Sequence, residues 1–176
     1  ALEQAIINGS GSGQPKGILK ETPDEGQALE VAADGKLGYA LLCDAEGALP
    51  EAYEADSVWL MSKKTFMQFE GMVDNNGQPI ARVNYGLGGK PERYLLGRPV
   101  AINSYMPDYK PTVESDIIFA AIFRMKDYDL NLASQMTLKT YEDNDTDDVV
   151  TKVIQLADGK VLDKSSLVTL TKKQAA

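Results

Sequence analysis

The sequence predicts an α+β domain, and three observations carry that expectation. Helical patterns fall in the first half of the chain, strand-like runs fall mainly in the second, and 43% of the 176 residues are apolar. Segregated helices and strands imply a mixed or antiparallel sheet rather than repeated strand–helix–strand units. At this length a domain buries roughly 70% of its unfolded surface, so a core forms without covalent staples.

Composition removes several function classes before any motif is read. The chain has no His and one Cys, Cys43, so neither an internal disulfide nor a usual structural zinc site is available. Hydrolases that use imidazole as base or ligand are excluded with them. Eighteen Lys+Arg against 26 Asp+Glu give a net charge of −8, and only four of the cations are Arg. Such a balance disfavours a dedicated nucleic-acid module, which binds by neutralising phosphates. No run reaches the ~20 apolar residues of a membrane span, and the first residues lack the pattern of a signal peptide. A chain that does not begin with Met is expected to be a processed product or a fragment.

Residues 1–7 (ALEQAII) favour helix and stop at Asn8-Gly9, a C-cap signal. Two turns are marginal alone, so the segment either docks or ends a longer helix. Residues 9–17 (GSGSGQPKG) read as an extended or turning loop. Residues 35–43 and 48–55 read as short helical pieces around a turn at 44–47. The apolar run 58–61 (VWLM) has strand character, and Ser62 stands at the N-cap position of a helix over KKTFMQFEGMV. Phe66, Phe69 and Val73 share one face of that helix, with Met72 beside them. A turn at 74–77 (DNNG) follows, then a strand over 80–83. Beyond it the strands are 94–96, 99–102, 116–123, 128–132, 136–141, 149–156 and 167–170. Two loops are rich in breakers, 84–93 (NYGLGGKPER) and 103–111 (NSYMPDYKP).

Little in this pattern carries catalytic chemistry. The glycines at 9, 11 and 13 follow a helix, and Gln14 stands where a dinucleotide loop needs glycine, so a structural turn is expected. Asp143 to Asp148 alternates oxygen ligands like the opening of a calcium loop. However, Asp148 replaces the turn glycine and Ile154 the closing Glu, so a solvated acidic loop between strands is expected. Glu114 and Asp116 are strand neighbours with nothing to mark them as an acid–base pair. Cys43 is expected to be a small buried hydrophobe, and Trp59 to be core. Tyr105 and Tyr109 serve either an interface, where aromatic anchors are enriched, or the packing of their own loop.

The order of these features resembles the major capsid proteins of tailed bacteriophages, the Hong Kong 97-type shell fold that encapsulins share. AIINGSGSGQPKGIL, residues 5–19, resembles the junction between that family's long spine helix and its axial domain. Val58 to Ser62, the helix after it and the turn at 74–77 resemble the family's strand ending in a "vms" step, second helix and "lkD-x-x-G" turn. LLGRPVAI at 95–102 is similar to its "llG-x-PV" strand pair, Tyr105-Met106-Pro107 to the following "mp", and Asp116 to Phe119 to its "i-x-f" strand. Ala120-Ala121 departs from the Gly-Asp or Gly-Gly that often comes next. The family's N-terminal arm, E-loop and most of its spine helix have no counterpart here.

The resemblance implies a Hong Kong 97-type axial (A) domain with part of the peripheral (P) domain, from the C-terminal part of a subunit. Its expected divisions are 1–19 as the end of the spine helix and its glycine loop, 20–141 as axial domain, and 142–176 as returning strands of the peripheral domain. The implied function is structural, with no catalytic, cofactor or metal residues. The subunit is expected to assemble with itself into the pentamers and hexamers of an icosahedral head, with a scaffold, a maturation protease and a portal as further partners. It is expected to enclose DNA without binding it specifically, to involve no membrane, and to reside in the virion after assembly in the bacterial cytoplasm. Tyr85, Arg93, Tyr105 and Tyr109 are the candidate interface residues. Without the arm and E-loop, the chain is expected to stay monomeric or form small, weak rings. An encapsulin-like compartment is the alternative shell; a small ligand-binding or enzymatic α+β domain is the alternative of another class.

Overall fold

The computed structural model describes residues 2–73, 78, 81–84, 92–132, 137–143, 148–154 and 156–174. Among these residues are three α-helices, α1 (Leu2–Asn8), α2 (Tyr39–Gly47) and α3 (Lys63–Glu70), all before residue 71. The strands are β1 (Ala28–Val31), β2 (Ser57–Met61), β3 (Ala81–Asn84), β4 (Glu92–Leu95), β5 (Arg98–Ile102), β6 (Ile117–Arg124), β7 (Tyr128–Leu132), β8 (Thr137–Asp143), β9 (Asp148–Ile154), β10 (Ala157–Val161) and β11 (Val168–Lys172). Seven of them form one sheet in the order β1-β11-β6-β2-β5-β4-β3. It is mixed, since β1 runs parallel to β11 and β2 to β5 while the remaining pairs are antiparallel.

The central position of β6 and β2 follows from their sequences. IIFAAIFR and SVWLM are nearly continuous apolar runs, and such runs suit strands covered on both faces. Trp59, Met61, Phe119, Ile122, Val168 and Leu170 join one core cluster with Leu42 and Ala45 of α2 and Phe66 and Phe69 of α3. On the other face, Leu60, Ala121, Phe123 and Leu167 meet Ile7 of α1, Ile18, Leu19 and Met106. The register between β11 and β6 shifts at Leu170/Thr171, where Ala120 and then Ile118 are the partners. Phe119 is thereby skipped and lies with its neighbour Ala120 on the same side, as a bulge allows. Ala120-Ala121 are fully buried within β6, so the strand continues where the family pattern places a turn.

The remaining four strands form two separate antiparallel pairs, one nested within the other in sequence and together called the ribbon. β7 pairs with β10 from Tyr128↔Val161 to Leu132↔Ala157, and β8 with β9 from Thr137↔Ile154 to Asp143↔Asp148. β11 lies inside the large sheet between β1 and β6, whereas β7 and β8 belong to the ribbon.

Several local expectations change for physical reasons. Ser62 is the N-cap of α3, its Oγ accepting from the Thr65 N–H at 3.2 Å. The helix ends at Glu70 with Gly71 as its C-cap, one turn earlier than expected, so Val73 leaves the buried face and is 59% exposed. The expected helices at 35–43 and 48–55 become α2 at Tyr39–Gly47 and a single tight turn at Glu51–Tyr53. Cys43 is exposed on α2, not buried, because Leu42 and Ala45 form the inward face. β1 and β10 carry weak strand signals, four residues (ALEV) and a polar ADGKV, and are strands through their partners.

Candidate subunit-contact surface

The glycine loop is a packing device. A Cβ at Gly9 would lie 2.0 Å from the Pro15 carbonyl oxygen, and one at Gly17 would lie 2.5 Å from Ile7 O. The Gly17 N–H donates to Gly9 O at 2.9 Å, closing the loop on itself. Lys16 N–H donates to Gly159 O at 2.7 Å, and the Tyr128 hydroxyl donates to Lys16 O at 3.0 Å. The loop thus bolts the end of α1 to the base of the ribbon, which accounts for its glycines without a phosphate.

The loop 103–111 is anchored from both sides and presents Tyr105 between the anchors. Asn103 N–H still bonds Met61 O at 3.0 Å, and its side-chain Oδ1 accepts from the Tyr105 N–H at 2.7 Å. Met106 is buried in the α1-side cluster. Tyr109 is 6% exposed and stands edge-on to Phe119, ring centroids 5.0 Å apart. Its N–H donates to Thr65 Oγ1 at 2.9 Å and its hydroxyl to Gly35 O at 3.2 Å. Burial pushes the Tyr109 hydroxyl pKa up. Tyr109 is therefore spent on the chain's own core, whereas Tyr105 is 36% exposed.

The other expected contact residues fall separately. Arg93 on β4 is half-buried, its guanidinium 5.9 Å from the Phe66 ring centroid. Tyr85 lies outside the described residues, as do 86–91 of the loop 84–93. Of the three described candidates, Tyr105 alone is among the exposed large hydrophobic side chains.

Of the possible acid sites, Asp116 is structural. Asp116 accepts from the Gln174 N–H at 2.9 Å and from Lys173 Nζ at 3.0 Å, and these hold its carboxyl below the usual carboxylate range. Lys173, bonded to Glu30 and Asp116, has its pKa raised in turn. Asp143 and Asp148 are register partners closing the β8–β9 ladder, and residues 144–147 between them lie outside the described residues. Among the described residues no group of three or more His, Cys, Asp or Glu is placed to hold a metal ion.

Two polar clusters gave only faint signals in the sequence. Arg98, 8% exposed, donates through Nε and Nη2 to Glu46 and through Nη1 to Glu54 O and Ser57 O. Glu46 also accepts from Trp59 Nε1 at 2.9 Å. Lys172 is fully buried and donates to Ala32 O and Gly35 O at 2.8 and 2.6 Å. The alternation Val168, Leu170, Lys172 was the available signal, since it puts the lysine on the inward face of β11.

Comparison with known proteins places the whole arrangement. The chain is similar to the capsid of an empty GTA particle at a TM-score of 0.76 and 22% identity, covering 97% of this chain and 60% of that one. It is similar to a chain of Gordonia phage Cozz at 0.57 and 17%, covering 99% and 58%. The SrpI encapsulin of Synechococcus elongatus PCC 7942 matches at 0.63 and 13%, covering 96% and 58%. These likenesses establish a Hong Kong 97-type fold, and the chain spans about 60% of the length of the shell proteins it matches. No curated protein matches it. The model of the phage capsid family matches residues 1–172, and the chain belongs to that family.

Proposed function

We propose that this protein is a structural subunit of a phage or prophage head, acting through self-association and without catalysis. The observation that carries the reading is the family match across residues 1–172. The large sheet with α2 and α3 is the axial part in this reading, and the ribbon from Tyr128 to Val161 belongs to the peripheral part. β11 then moves from the expected peripheral segment to the axial part. Tyr105 is the contact residue in this reading, with Arg93 on β4 and Tyr85 as further candidates. The net charge of −8 suits a wall that confines DNA without gripping it, since tight binding requires phosphate neutralisation. The subunit resides in the virion after assembly in the bacterial cytoplasm, with scaffold, protease and portal as further partners.

A photo-crosslinking amino acid placed at position 105, with position 109 as the buried control, tests the contact. The expected result is a covalent dimer from position 105 and none from 109. Equal yields from both positions, or no dimer from either in concentrated protein, would overturn the assignment.

A further inference from the structure

A side-chain clamp joins α1 to the loop that carries Tyr105. Asn103 Nδ2 donates to Glu3 Oε1 at 2.9 Å, while the same side chain's Oδ1 receives the Tyr105 N–H at 2.7 Å. At the other end of the helix, Asn8 Nδ2 donates to Tyr105 O at 2.6 Å. Both backbone groups of Tyr105 are thus held by asparagine side chains, one at the exit of β5 and one in the last turn of α1. Beneath these bonds, Ile7 of α1 and Met106 of the loop are buried in the same apolar cluster. Asn103 N–H bonds Met61 O, so the clamp is rooted in the large sheet.

We infer that Asn103 is a positioning residue that makes α1 and the Tyr105 loop one mechanical unit, so that the direction of the helix sets where Tyr105 is presented to a neighbouring copy. A tyrosine on a loop held only at its ends samples many positions, and ordering it on contact opposes association. Here a single amide serves as acceptor to the loop and donor to the helix. Among the described residues, Glu3 reaches the loop through that amide. A shift of α1 is passed to the Tyr105 backbone at two points, and by reciprocity a partner that fixes Tyr105 also fixes α1. The part of this inference that concerns a neighbouring copy rests on the contact reading above.

Hydrogen exchange on residues 1–176 tests the coupling, because it reads the two elements separately. Glu3→Ala removes the helix side of the clamp and leaves the loop sequence untouched. The Tyr105 amide is expected to exchange about fivefold faster, the factor that an ordinary hydrogen bond supplies. Asn103→Asp keeps the acceptor for the Tyr105 N–H but sets a carboxylate against Glu3, and the α1 amides are expected to exchange faster by a similar factor. Combining Asn103→Asp with Glu3→Gln restores a donor–acceptor pair, and both sets of rates should return to within about twofold of wild type. Unchanged Tyr105 exchange in Glu3→Ala, or no rescue in the double variant, would overturn the inference. The contact reading fails separately: wild-type exchange coupling with no crosslink from position 105 leaves the clamp standing and removes the neighbour.

Discussion

Arg98 and Glu46 meet in a two-pronged ion pair, Nη2 to Oε2 at 2.7 Å, between the start of β5 and α2. The pair lies next to the positive-φ turn at Leu96 and Gly97, which aims Arg98 inward over Ser57 O and Glu54 O. Removing one member strands the other beside Trp59. Arg98→Met should lower unfolding free energy by about 3 kcal/mol, toward the lower end expected for a broken buried pair because Glu46 retains some water. Arg98→Met with Glu46→Leu should cost less than the sum of the two single changes. Urea denaturation of the four proteins measures both quantities.

Lys172 offers a parallel case without a carboxylate. Its ammonium is held by two carbonyls, Ala32 O and Gly35 O, and faces the Tyr109 ring at 5.7 Å. Lys172→Met keeps the stem and unties both carbonyls, and a loss of about 2 kcal/mol is expected. Thermal denaturation checks the loss, and near-ultraviolet dichroism should record the altered Tyr109 environment.

Acid should weaken the fold in a definite direction. Asp163 is held below the usual carboxylate range, chiefly by the Tyr53 hydroxyl donating at 2.6 Å and then by the Ser165 N–H. Asp24 is lowered by Ser165 and Lys164, Asp56 by Lys126, and Asp116 by Gln174 and Lys173. A depressed folded pKa means that the unfolded chain binds protons first as pH falls. The stabilisation is full above the ordinary carboxylate pKa of about 4 and is lost as pH drops through the folded values. Melting temperature should be flat from pH 7 to 5 and fall below about pH 4, and Asp163→Asn should reduce that slope.

The glycine loop separates crowding from backbone strain. Gly9→Ala has no space at all, with Pro15 O and Ala5 O 2.0 and 2.4 Å from the added carbon. Gly13→Ala meets nothing within 4 Å and bears only its φ of +67°. The first should cost more than about 3 kcal/mol or abolish folding, and the second about 1 kcal/mol. Equal losses in chemical denaturation would contradict the packing account.

What the sequence made legible follows from burial. VWLM and IIFAAIF are apolar without interruption, so β2 and β6 were readable as strands before any partner was known. Ser62 was readable as a cap because its role is local. β1 and β10 were not, since ALEV and ADGKV become strands only through β11 and β7, more than a hundred residues away in one case. Val73 was misplaced because helical periodicity carries no information about where Gly71 stops the helix. Of the two loop tyrosines, sequence left both open to interface or packing. Proximity to Phe119 and Gly35 decides for packing in Tyr109. The Asn103 clamp gave no signal, because a polar loop residue reveals nothing about a partner 100 positions earlier.

Electron microscopy of the concentrated chain tests the central claim most directly. If this is a capsid subunit whose axial part makes ring contacts, particles with pentameric or hexameric rotational symmetry should appear at high concentration and disperse on dilution. They should be depleted in Tyr105→Ala. Association without rotational symmetry, or rings that persist undiminished in Tyr105→Ala, would contradict the account.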